Sequence, residues 1–196
     1  VNGDGLADLI FDAHNSSTLD AEYAGRSYVM FGSTNHSAVD LYNISNGSGG
    51  FVINGQCNGD SSGYSVSNAG DVNGDGLADL IVGAQNSSTA EAQYAGRSYV
   101  IFGKTSQNAV DLSNIVNGTG GFVMNGETNY DYSGYSVSNA GDVNGDGLAD
   151  LIIGAQNSFN VELTFAGRSY VVFGKTNSTA IDLSNIAAGS GGFVIN

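Results

Sequence analysis

Apolar residues in this chain fall in short runs, each fenced by Gly, Asn, Ser and Asp. Gly63–Gly70 alternates small and large side chains, the pattern of a narrow strand with two unlike faces. Leu80–Ala84 is continuously apolar and short, which predicts a strand buried on both sides. Gly96–Gly103 and Gly121–Gly126 read as two further strands ending at glycines, and a polar stretch, Gln85–Tyr94, forms a loop between the second and third strands. Val110–Ile115 is a linking segment with room for one helical or turn-like bend. No stretch carries the 3.6-residue period of a sizeable amphipathic helix.

This set of runs repeats. Asp71–Asp79 recurs as Asp142–Asp150, and Val72–Asp79 also as Val1–Asp8, each time 71 residues apart. Such a period marks a tandem array whose units pack mainly on their neighbours. Four short strands per unit predict an all-β fold of β-propeller-type four-stranded blades, since β-solenoid coils are usually much shorter. The units are placed at 1–54, 55–125 and 126–196, in one continuous repeat domain. The first blade lacks its opening strand, the counterpart of Gly55–Asp71. Three blades fall short of a closed ring, so an open array, or one completed by another chain, is expected.

The acidic stretches carry the candidate chemistry. In Asp71–Asp79 the oxygen-bearing side chains are Asp71, Asn73, Asp75 and Asp79, at positions 1, 3, 5 and 9, and Leu77 offers a backbone carbonyl at position 7. Alternate spacing lets a curled loop turn these oxygens toward one centre, with Gly74 and Gly76 permitting the unusual backbone angles. An all-oxygen set of this kind suits Ca²⁺ and not zinc. The second copy consists of Asp142, Asn144, Asp146, Leu148 and Asp150. The first offers Asn2, Asp4, Leu6 and Asp8 without an acid at position 1, so weaker binding is expected there. The opening matches an EF-hand, but position 12 is Val82 or Ile153 in place of the bidentate Glu, and no flanking helices are expected.

Charge narrows the partners. A formal net charge of −14 argues against nucleic acid and anionic lipid surfaces. No run is long enough to insert in a bilayer. The single cysteine, Cys57, has Thr128 as its repeat counterpart, which leaves it as a buried or half-buried filler. The histidines, His14 and His36, sit in Asn/Ser-rich loops of the first unit and read as surface residues. Asp60 and Asp131 occupy matching turns and are expected to cap them. Arg26, Arg97 and Arg168 recur once per unit, with Asp40, Asp111 and Asp182 as the expected ion-pair partners. Apart from Cys57 and the histidines every candidate recurs, which suits structure better than a unique active centre, and no catalytic residue is assigned.

The Gly83-Ala84 and Phe102-Gly103 pairs, with the acidic run between its strands, resemble the FG-GAP repeats of integrin α-chain β-propellers, and still more the bacterial extracellular proteins with many such repeats. The resemblance covers essentially the whole chain. It implies blades that bind Ca²⁺ in the loop between first and second strands, at the positions named above. Gln85, Gln156 and His14 stand where that family usually has proline after Gly-Ala. The function expected is a calcium-stabilised extracellular or cell-surface module, structural or adhesive and not enzymatic, assembling with other copies of itself as a filament or completed propeller by strand complementation. The alternative is a non-catalytic ligand- or carbohydrate-binding propeller fragment of a larger secreted protein or enzyme, with glycans or cell-surface ligands as partners. Asn15, Asn35, Asn43, Asn46, Asn86, Asn117 and Asn177 each begin an N-x-[ST] triplet and are possible glycosylation sites.

Overall fold

The computed structural model describes residues 1–34, 38–158 and 166–196. In chain order they form strands β1 (Leu9–Ala13) and β2 (Arg26–Met30), helix α1 (Leu41–Ser45), and strands β3 (Gly50–Asn54), β4 (Ser65–Gly70), β5 (Asp79–Ala84), β6 (Arg97–Ile101) and β7 (Val110–Asp111). Helix α2 (Leu112–Val116) and strands β8 (Gly121–Asn125), β9 (Ser133–Gly141), β10 (Asp150–Ala155), β11 (Arg168–Val172) and β12 (Ile181–Asp182) follow, and the chain finishes with helix α3 (Leu183–Ala187) and strand β13 (Gly192–Ile195).

The fold is all-β, in three sheets of order β1-β2-β3-β7, β4-β5-β6-β8-β12 and β9-β10-β11-β13, none of them closed. Neighbouring strands that follow one another through the first three or four of each sheet are antiparallel. The first sheet opens on β1 and has no counterpart of β4 or β9. These are open, propeller-like blades.

The alternation of side chains decides which sheet each residue serves. On β5, Leu80, Val82 and Ala84 pack with Val29, Phe51 and Ile53 of the first sheet, while Ile81 packs with Val137, Leu151 and Ile153 of the third. Both faces are covered, and all six residues of β5 are buried. On β6, Tyr99 and Ile101 face the first sheet and Val100 the third. The period of 2 thus makes the middle sheet a two-sided core layer. At about 25 cal/mol per Å² of apolar area, these seams between sheets supply most of the stabilisation of strands too short to stand alone.

The linking segment is more structured than a bend. Val110–Asp111 forms β7, which pairs parallel with β3 of the preceding sheet, and Ile181–Asp182 does the same with β8. One helical turn follows each, burying Leu112 and Ile115, or Leu183 and Ile186. In α1 the preceding Asp40 accepts a hydrogen bond from Tyr42 N at 2.9 Å, an N-cap. Asp111 and Asp182 instead accept from the Asn54 and Asn125 amides, each at 2.9 Å. Where a preceding sheet exists, the aspartate spends its oxygen on the seam.

Candidate metal centres

The second and third acidic loops join β4 to β5 and β9 to β10, on the same rim as the ends of β6 and β11, and the first leads into β1. In the loop after β4, Asp71 Oδ1 accepts from Gly74 N at 2.7 Å and Asp75 N at 3.1 Å, and Oδ2 accepts from Gly76 N at 2.9 Å. Asn73 Oδ1 accepts from Asp75 N at 2.8 Å, and Asp75 Oδ1 accepts from Leu77 N at 2.9 Å. The buried Asp79 closes the loop, accepting from Val72 N at 2.9 Å and from Gly103 N, at the end of the third strand, at 2.8 Å. These bonds come from short side chains to backbone N–H groups a few residues on, which is how Asx residues curl a chain.

The loop after β9 repeats the set. Asp142 accepts from Gly145 N, Asp146 N and Gly147 N at 2.7, 3.1 and 2.9 Å, and Asp150 holds Val143 N and Gly174 N, each at 2.8 Å. Asn144 and Leu148 sit as Asn73 and Leu77 do, with Asn144 Oδ1 accepting from Asp146 N at 2.8 Å and Leu148 N donating to Asp146 Oδ1 at 2.9 Å. In the first copy Asn2 accepts from Asp4 N at 3.1 Å, Asp4 from Leu6 N at 2.8 Å, and Asp8 from Gly32 N at 2.8 Å. Adjacent loops touch: Asp71 O accepts from Ala149 N at 2.9 Å. A Cβ on Gly74 would lie 3.0 Å from Leu148 Cδ2, and one on Gly3 would lie 2.8 Å from Leu77 Cδ2.

The donor set fits a hard cation. Its atoms are carboxylate, carboxamide and carbonyl oxygens, and each bonded carboxylate oxygen keeps acceptor capacity. Burial, with the charges of Asp75 and Asp71 adding to it, pushes the Asp79 carboxyl up to about 6. The three acids therefore feel one another, a repulsion that a divalent ion would relieve. Among the described residues no three Asp, Glu, His or Cys side chains gather closely enough to hold an ion by themselves. The set depends on Asn73 or Asn144 and on a loop carbonyl.

Other sequence expectations meet mixed outcomes. The arginines do not pair with Asp40, Asp111 or Asp182. Arg168 bridges Glu127 at 2.9 Å, and Arg97 bonds Gln56 Oε1 at 3.2 Å and Asn125 Oδ1 at 3.1 Å. The same acceptors take Tyr170 OH at 2.7 Å and Tyr99 OH at 3.2 Å. Gln56 and Glu127 are repeat counterparts, so each blade grips the next through one residue just past its outer strand. That pairing was missed, although a Gln/Glu recurring at the repeat spacing was the available signal. Cys57 is exposed and not a buried filler, because it sits in a surface turn whose backbone, through Cys57 N, is tied to Asp60. His14 Nδ1 lies 2.7 Å from Asp12, and its ring meets the Tyr64 ring edge-on. His36 and Asn35 lie outside the described residues.

Asp60 and Asp131 cap their turns. Asp60 accepts from Cys57 N at 3.3 Å and from Ser87 Oγ at 3.3 Å, and Asp131 accepts from Thr128 N and Thr128 Oγ1, both at 2.8 Å. Burial pushes the Asp60 carboxyl up to about 6, and that of Asp131 upward too. A carboxyl with a raised folded-state pKa binds more protons folded than unfolded, so stability falls as pH rises from about 4 to about 6. Replacing Asp60 with Asn should remove that loss, by roughly 1–3 kcal/mol at neutral pH. Denaturant melts of both proteins from pH 4 to 7 check this; parallel profiles would contradict it.

Of the triplet asparagines, Asn15, Asn43, Asn46, Asn117 and Asn177 are exposed, while Asn86 is half-buried and donates to Ser61 Oγ at 3.1 Å.

The open blades and their acidic loops define a β-propeller-type repeat chain. Residues 62–101 and 133–172 match the sequence model of the FG-GAP repeat, and the chain carries two FG-GAP repeats. Each match begins at the first strand of its sheet and ends with the third. Such repeats are generally non-catalytic and typically occur in extracellular or secreted proteins. The chain is also 31% identical, over 127 residues, to phosphatidylinositol-glycan-specific phospholipase D of Bos taurus. That match takes in 63% of this chain and 14% of the relative, so the chain spans about a seventh of its length. Among the described residues no helix is long and apolar enough to cross a membrane.

Proposed function

We propose that this chain is a calcium-stabilised, non-catalytic module of an extracellular or cell-surface protein, structural or adhesive in role, that assembles with other copies of itself. The observation carrying the calcium reading is the loop itself. The same acids, amide and backbone bonds occur at Asp71–Asp79 and at Asp142–Asp150, and in the first of these burial, with the charges of Asp75 and Asp71, holds the Asp79 carboxyl above its ordinary value. Asp71, Asn73, Asp75, Leu77 and Asp79 would hold one ion, their counterparts a second, and Asn2, Asp4, Leu6 and Asp8 a weaker third. The ion supplies positive charge to an otherwise self-repelling rim.

The outward faces of the end sheets suit a further sheet, supplied by another copy or by more of the same protein. Phe193 and Ile195 on β13 stand 45% and 50% exposed, where their counterparts Phe122 and Met124 are fully buried against the next sheet. Leu9 on β1 is 56% exposed at the opposite end. The internal seams, where one sheet covers the next, support the reading that such faces take another sheet of the same kind. A contact of this type between copies is head-to-tail. Light scattering during gel filtration, in millimolar Ca²⁺ and then in chelator, tests the whole reading. Large species are expected in Ca²⁺, and Phe193→Asp should reduce their association at least about tenfold. A monomer under all conditions would contradict self-assembly and favour a ligand-binding segment of a longer protein.

A further inference from the structure

The second and third acidic loops are tied to each other by backbone. Ala149 N donates to Asp71 O and Lys175 N donates to Val72 O, each at 2.9 Å. The first bond reaches position 7 of the third loop. The Ala149 N–H belongs to the same peptide unit as the Leu148 carbonyl, and that unit is planar, with its N–H and C=O on opposite edges. Holding the N–H on Asp71 O therefore fixes the direction in which the Leu148 carbonyl points. Asp71 itself is position 1 of the second loop, where its carboxylate accepts three loop N–H groups.

The second bond reaches position 9. Val72 donates its N–H to the Asp79 carboxylate at 2.9 Å and lends its carbonyl to Lys175 N. The residue before Lys175, Gly174, donates to the Asp150 carboxylate at 2.8 Å. One short stretch of backbone thus connects the two buried acids that close the loops. Side chains add a third tie. Leu148 Cδ2 lies 3.0 Å from where a Cβ on Gly74 would stand, and Leu77 meets Gly3 in the same way at 2.8 Å. Position 7 contributes only a carbonyl to its own loop, so its leucine side chain is free to brace the neighbouring one.

Two influences of opposite sign follow. Each full loop carries three acids, so positive charge gained by one loop weakens the pull of the rim on a cation at the other. Salt screens this between exposed groups, with a Debye length of about 8 Å at physiological ionic strength. The backbone ties act the other way. Fixing Asp71 and Asp79 around one ion also fixes the Leu148 carbonyl and steadies Asp150, so less ordering is left for the second ion to impose.

We propose that the two full loops take up cations with positive cooperativity, the Asp71–Val72 backbone positioning the Leu148 carbonyl and the Asp150 carboxylate for the neighbouring ion. This rests on the reading of the loops as calcium sites.

The amide signals of Gly76 and Gly147 in heteronuclear NMR read the loops separately, because each N–H donates to the position-1 carboxylate of its own loop at 2.9 Å. Ca²⁺ is titrated at roughly 0.15 M salt into the full chain carrying Phe193→Asp, chosen to weaken contact between copies. Adding Asp75→Asn removes one charge from the second loop but keeps an oxygen for Leu77 N. The Gly147 midpoint should then move to about fivefold higher Ca²⁺. Asp146→Asn should move the Gly76 midpoint by the same factor, since coupling between two sites is reciprocal. Through-space repulsion alone gives the opposite shift, because the variant loop without its ion is more negative than the parent loop holding one. Midpoints that stay in place, fall, or rise in only one variant would overturn the coupling and leave the calcium reading standing. Absence of any Ca²⁺-dependent shift at both glycines without these loop substitutions would overturn the calcium reading, and the coupling with it.

Discussion

Stripping divalent cations from this protein should lower its melting temperature by about 10 °C. Extracellular calcium modules bind with Kd of about 10⁻⁴–10⁻³ M. At 10 mM Ca²⁺ a site of that affinity stabilises the folded state by about 1.4–2.7 kcal/mol. Two full loops therefore contribute roughly 3–5 kcal/mol, and a chain of this size shifts by about 2–4 °C per kcal/mol. Differential scanning calorimetry in Ca²⁺ and in EDTA measures the difference. Asp142→Asn should remove about half of it, because Asn keeps an oxygen for the loop N–H groups but loses the charge that attracts the ion. The reason is local to the loop: Asp142 accepts three backbone bonds, and all three come from within the loop. Identical melts in both conditions would contradict the proposed calcium role.

The second large effect is expected from one methyl group. A Cβ on Gly83 would lie 2.1 Å from Gly134 O, a backbone atom of the next sheet that cannot step aside. Gly83→Ala must open the seam between β5 and β9, at a cost of about 1–3 kcal/mol, or a melting temperature lower by roughly 3–10 °C. The repeat positions supply the controls. At Gly154 the added Cβ meets the Ser136 hydroxyl at 2.4 Å, a group that can rotate away, so Gly154→Ala should cost under about 1 kcal/mol. In the first sheet the position is Asp12, which sits beside Gly63 and shows that the seam there already takes a side chain. Equal melting temperatures for the two alanine variants would refute the backbone-contact argument.

Much of the fold is legible in the residues because its signals are short-range. Leu80–Ala84 reads as doubly buried from five consecutive residues with no polar side chain, and β5 is buried throughout. The strand-ending Gly103 and Gly174 mark where backbone N–H groups meet Asp79 and Asp150, though the bonds themselves were not foreseen. The curl of the acidic loops follows from Asx residues that bond within five positions of themselves. The segment after Val110 reads as one helical or turn-like bend, and five residues are too few to show a helical period that would decide between the two.

Sequence alone thus determined the period, the strands and the oxygen-rich loops, all products of backbone preferences and alternation over a few residues. Tertiary structure decided the pairings across the seams. Arg97 and Tyr99 find Gln56 across 41 and 43 residues, and β7 leaves its own sheet to pair with β3. The stacking of Tyr94 on Tyr130 and Tyr132 belongs to the same class. Such contacts depend on how one sheet is set against the next, and that setting is fixed only when the buried faces of whole blades close together, so no local pattern of side chains encodes it.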